Sequence, residues 1–187
     1  MEAWIEIEGI RYFRHVNGGG LVAESAQVDK SAFVGPFASV RDKAKVLDEA
    51  RIEDRAVVKG KAVVKDHARI AGVAEVFDSA KVCGSAQVFD SARVFGSALV
   101  ADEAKVYESA RIYGSAQVFD SAKVHGSAKI IDKAFVSGWA QVFESTCVCD
   151  EAGISGLTQV YGNAFIGGHT KLADLKHTYI NGGVHIK

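Results

Sequence analysis

His125 is the side chain in this sequence best placed for acid–base chemistry, because it is the only histidine that a strand of the middle region would turn outward. A general base needs a substrate hydroxyl or amine in reach and a partner that orients the ring. The neighbouring Lys123 disfavours protonation of an imidazole, and no carboxylate shares the strand. His67 and His169 fall at corners of the pattern described below, and His15, His177 and His185 lie near the two ends, as surface residues. Cys147 and Cys149 flank Val148, and both would point outward. Two thiolates could join a metal site, but closed zinc sites take four ligands, and no further His or Cys converges on this pair by spacing. No metal is expected. Gly18, Gly19 and Gly20 follow no buried strand and open no helix, so they read as a turn and not as a phosphate cradle.

What positions these groups is a six-residue repeat. Residues 79–130 read SAKVCG, SAQVFD, SARVFG, SALVAD, EAKVYE, SARIYG, SAQVFD, SAKVHG, SAKI. An aliphatic residue recurs every six positions from Val22 to Leu172; (172 − 22)/6 + 1 gives 26 positions with no insertion or deletion. Two places before each stands a small residue, Gly20 first and then Ala or Thr throughout, from Ala26 to Thr170. Residues two apart on a strand share a face, so the small and the aliphatic residue both point inward and their flanking neighbours point outward. The next two residues come mostly from Gly, Asp, Glu, Ser and Lys; Gly and Asp tolerate left-handed backbone angles, so the chain turns there. Each unit is one short strand and one corner, too short and too alternating for a helix. A unit this small cannot bury its own apolar face, so the units must stack into an all-β solenoid.

Ahead of the repeat, Trp4, Ile5 and Ile7, then Ile10, Tyr12 and Phe13, predict two short strands joined near Gly9, and the glycine run makes the turn into the array. A stack of strands leaves unpaired backbone at its end, which needs a cover. Residues 1–21 are therefore expected to cap the repeat of residues 22–172. Residues 173–187 lose the register and are expected to close the other end with a hairpin turned at Asn181, Gly182 and Gly183. Net charge is −1, so bulk electrostatics points to neither nucleic acid nor an anionic membrane. No stretch is long enough to span a bilayer, and the opening MEAWIEIEG lacks the apolar core of a secretory signal. The three cysteines, Cys83, Cys147 and Cys149, an odd number, predict reduced thiols and a cytoplasmic protein.

The pattern over 22–172 is similar to that of hexapeptide-repeat proteins. The resemblance implies a single-stranded left-handed parallel β-helix of triangular cross-section, three units or eighteen residues per coil. The left hand comes from the resemblance alone, since right-handed crossovers are the general rule. One departure is clear. The usual unit has Gly, Ala, Glu or Asp directly after the aliphatic residue, whereas here Phe, Tyr or Cys often stands there and the Gly or Asp follows. In this the chain looks like a group of uncharacterised bacterial and phage hexapeptide-repeat proteins.

Eighteen residues per coil sort the outward positions into columns. One face carries Phe89, Tyr107, His125, Phe143 and Tyr161, with Arg51, Arg69, Gln87, Lys105, Lys123, Gln141 and Gln159 beside them. A second carries Phe77, Phe95, Tyr113 and Ile131, flanked by Arg93, Arg111 and Lys129. The third, with Cys83, Ala101, Phe119 and Ser137, has no continuous ladder. Stacked aromatics support one another, and a contiguous exposed stripe also marks a partner surface.

Many proteins of this family are acyltransferases using acyl-CoA or an acyl carrier protein, with a His base between subunits and a loop interrupting the repeat. No loop interrupts 22–172 here, which argues against an enzyme. The superfamily's zinc carbonic anhydrases need histidine pairs five apart, and ice-binding prisms need outward threonine ladders; this chain has neither. The expectation is a non-catalytic scaffold without cofactors. It would self-associate, as a trimer or dimer, or dock a partner through Phe89, Tyr107, His125, Phe143, Tyr161, Phe77, Phe95 and Tyr113. The alternative is an acyltransferase with His125 as base, acetyl-CoA or another acyl-CoA as cofactor, and a site between subunits.

Overall fold

The computed structural model describes residues 4–173, 179–181 and 185–186, and every regular element among them is a strand. The repeat builds a parallel β-solenoid of about eight coils with turns of about eighteen residues. Among the described residues the strands form three sheets, of twelve, nine and nine strands, and from Leu21 onward successive strands visit the three in turn. Pairing partners across the repeat are eighteen apart, as in Gln87↔Lys105↔Lys123 and Val88↔Val106↔Val124.

The core is a column of alanines and aliphatics. From Ala32 to Ile166 the inward residues are buried, with Val88, Val106 and Val124 wholly shielded from solvent. Full burial of one valine stabilises by roughly 1.5–3 kcal/mol, and no unit could reach that without neighbours above and below. Thr146 and Thr158 take the small position in two units, and their buried hydroxyls have no hydrogen-bond partner.

The corners complete the backbone hydrogen bonding. From Asp42 to Gly168 the residue two after each aliphatic one has positive φ near +60°, whether it is Asp90 (57°), Glu108 (57°) or Gly126 (69°). Where an acidic residue holds that position, its carboxylate reaches the next coil. Asp90 accepts from the Glu108 amide at 3.1 Å, and Glu108 from the Gly126 amide at 2.6 Å. A buried or crowded amide must find an acceptor, and aspartate both tolerates the left-handed angle and supplies one.

At the start of the chain β1 (Trp4–Ile7) and β2 (Ile10–Arg14) form a hairpin turned at Glu8 and Gly9, both with positive φ, as a tight hairpin turn requires. β2 pairs antiparallel with β3 (Leu21–Ala23), which in turn pairs parallel with Ser39–Val40. The hairpin thus lengthens one wall only. The edge of the adjoining wall is covered by the loop 15–20: the Val34 amide donates to Asn17 O at 3.0 Å, the Gly20 amide to Val34 O at 2.9 Å, and the Asn17 side chain to Ala32 O at 3.0 Å.

The far end departs from the expected hairpin. Tyr179–Asn181 and His185–Ile186 do not pair with each other; they join different parallel sheets, with Ile180 beside Val160 and Ile186 beside Ile166. These partners are twenty apart instead of eighteen, so two extra residues enter after Leu172 and the six-residue step then resumes from Ile180 to Ile186. Each strand thereby satisfies the open backbone of the coil below. Gly182 and Gly183 lie outside the described residues.

Candidate functional site

The outward columns are rings stacked like coins. On one wall the centroids of Phe89 and Tyr107 are 4.9 Å apart, Tyr107 and His125 4.7 Å, His125 and Phe143 5.0 Å, and Phe143 and Tyr161 5.0 Å, with planes within 10° of parallel. On a second wall Phe77 and Phe95 stack at 4.8 Å and Phe95 and Tyr113 at 4.7 Å. The rise of a parallel sheet, about 4.8 Å per strand, sets this spacing. Every ring is half-buried: its faces are covered by its neighbours and its edge reaches solvent. Pairs of this kind stabilise by about 0.5–1.5 kcal/mol beyond their buried area.

Charged groups close the lower end of the shorter ladder. Lys59 Nζ lies 5.1 Å from the Phe77 ring centre and the Arg93 guanidinium 5.3 Å, and Glu75 bridges the two cations at 3.2 and 3.1 Å. On the other wall Glu53 receives Arg51 at 2.7 Å and Arg69 at 2.6 Å. Partial burial alone would push the Glu53 and Glu75 carboxyls up, but hydrogen bonds and charge from these cations outweigh it and hold both below the ordinary 4.5. A lowered folded pKa contributes stability that is full above the unfolded value and lost as pH falls through the folded one. Thermal melts from pH 7 to 3 should therefore show a loss beginning below about pH 4.5, and Glu53→Gln should flatten part of it. An identical acid profile for parent and variant would refute the assignment.

His125 sits inside the longer stack, and its side chain is 21 % exposed. A carboxylate does approach it. Glu108 Oε2, on the corner of the preceding coil, is 3.6 Å from Nδ1, while also accepting from the Gly126 amide. It lies off the strand of His125, and its signal in the sequence is a Glu seventeen residues earlier, at the corner beneath. Burial, then the charges of Glu108 and Asp90, push the Tyr107 phenol up.

The three cysteines are free thiols, Cys83 and Cys147 half-buried and Cys149 buried. Cys149, an outward position by parity, is buried, and its thiol donates weakly to Ile166 O at 3.6 Å beside Gly167, whose missing side chain leaves room for the sulfur. Burial and the nearby Asp150 push it up to about 12, and burial also raises Cys83 and Cys147. Thiols so protonated are poor nucleophiles and ligands. On the third wall Phe119 and Phe135 are splayed at 6.3 Å and 29°, and Lys171 Nζ lies 4.5 Å from the Phe135 ring centre. Phe135 lies across Gly153, where any Cβ would overlap its ring.

Among the described residues no helix is long and apolar enough to cross a membrane. Compared with protein-family models, curated proteins and solved structures, the chain has no match.

Proposed function

We propose that the chain is a hexapeptide-repeat protein, coiled with a left hand into a triangular prism. It acts as a rigid non-catalytic scaffold that self-associates or docks a partner through its aromatic ladders. The observation that carries the reading is the longer stack. Five rings from Phe89 to Tyr161, spaced 4.7–5.0 Å, present an even row of ring edges along one wall. A row of this kind is self-complementary, and closed homo-oligomers are built on such surfaces. Sedimentation equilibrium is the test. The parent is expected to run as a dimer or trimer. Tyr107→Ser with Phe143→Ser should shift the mass to the monomer while the far-ultraviolet spectrum is retained. A parent that stays monomeric up to about 100 µM, weaker than a functional homo-oligomer needs, would overturn self-association.

One contact favours the second reading. Glu108 beside His125 Nδ1 is the arrangement that orients an imidazole as a base, and an acyltransferase using acyl-CoA at an inter-subunit site would need it. Acetyl transfer from acetyl-CoA that disappears in His125→Ala would establish that reading over the scaffold.

A further inference from the structure

A trough runs along the corner beside the ring-stacked wall, separate from the ladders themselves. Its floor crosses successive coils, each about 4.8 Å above the last. On the corner side stand Ser85, Glu103 and Ser121, and then two large apolar residues one above the other, Trp139 and Leu157, 65 % and 51 % exposed. On the wall side stand Gln87, Lys105, Lys123, Gln141 and Gln159, one per coil. A hollow of about 360 Å³ below Trp139 and another of about 230 Å³ above it adjoin along this corner, both lined by Ser121, Lys123 and the indole.

On the corner side Ser121 Oγ donates to Glu103 Oε2 at 3.4 Å, whereas the wall-side groups are uncommitted. Lower in the same column Arg51 and Arg69 are both held by Glu53. From Gln87 upward, among the described residues, the three glutamine amides and two lysine ammoniums make no side-chain hydrogen bond or ion pair within the chain. A glutamine amide offers both a donor and an acceptor, which matches a hydroxyl group. An indole 65 % exposed offers an apolar ring to the C–H face of a pyranose, and one polar wall residue per coil, amide or ammonium, suits a chain of sugars running along the axis. Two lysines stand against three acidic residues, Asp102, Glu103 and Asp120, on the same corner, so this face carries no excess positive charge to draw a polyanion, which disfavours nucleic acid.

We propose that this trough binds a neutral linear oligosaccharide, with one sugar stacked on Trp139 and its neighbours hydrogen-bonded by Gln87, Gln141 and Gln159. The chain has two tryptophans, so in a Trp4→Phe background the emission reports Trp139 alone. The probes are cellohexaose, chitohexaose and maltohexaose, each paired with its disaccharide. At least one hexasaccharide is expected to shift the emission with a Kd of about 1 mM or tighter, and about tenfold below its disaccharide. Calorimetry should show the binding gone in Trp139→Ala and weakened about tenfold in Gln141→Ala with Gln159→Ala. Both variants alter side chains that the fold does not lean on, so their melts should match the parent. No response to any hexasaccharide at about 10 mM, equal affinity for hexasaccharide and disaccharide, or binding that survives Trp139→Ala would overturn the proposal.

Discussion

Val106→Asp should abolish the cooperative fold of the solenoid. Val106 is wholly buried, with Val88 below and Val124 above in the same column. The substitution removes an apolar side chain worth roughly 1.5–3 kcal/mol of burial. It also places a carboxylate where no donor can reach it, at a further cost of several kcal/mol. Small domains are stable by only about 5–15 kcal/mol, so one such site consumes most of the margin. Each coil touches only its neighbours, so the array has no detour around a failed coil in its middle. Burial raises the pKa of the new carboxyl above its unfolded value, so the penalty is largest above the folded pKa and eases as the pH falls. Circular dichroism melts at neutral and acid pH read both effects. Lys105→Ser, on the same strand but outward, should stay within about 0.5 kcal/mol of the parent. Cooperative melting of Val106→Asp near the parent temperature would refute the inward assignment.

The reason so much of this architecture was legible is arithmetic. Parity along a strand separates Ala104 and Val106 from Lys105 and Tyr107, and a constant step of eighteen turns each outward position into a column. Phe89, Tyr107 and His125 are neighbours because the period never slips between them. What was not legible lies where another rule operates. Glu108 approaches His125 because a left-handed corner swings a side chain toward the next coil, which strand parity does not describe. Cys149 is buried because residue 167 is a glycine one coil above, a matter of volume instead of pattern. The last coil is parallel and not a hairpin, because two extra residues after Leu172 break the count without ending the pattern. Ile180 and Ile186, still six apart, held the signal of two more parallel strands. Trp139 and Leu157 fell on corner positions, which were read for their turning role and not for the surface they present.

Gly20→Ala should unseat the start of the array while leaving the middle intact. Position 20 is where every later unit has Ala or Thr, and its φ is not in the left-handed region, so backbone freedom does not explain the glycine. Space does. A Cβ at this position would overlap the carbonyl oxygen of Gly35 and lie 2.5 Å from Val34 Cγ1 and 2.9 Å from Val34 O. Two of these three atoms are backbone, which cannot rotate away, so the loop itself must lift. Overpacking of this kind costs about 1–3 kcal/mol. The bonds at risk are the two between this loop and Val34, through Asn17 O and the Gly20 amide. Amide exchange at Val34 should therefore speed up strongly while exchange at Val106 stays at the parent rate. The uncovered edge then offers unpaired backbone to a second molecule, so end-to-end association should increase with concentration. Gly35→Ala is the control, since its added carbon would meet nothing closer than 3.4 Å, and Val34 should remain protected. Equal exchange at Val34 in Gly20→Ala and the parent would show that the loop does not hold the edge.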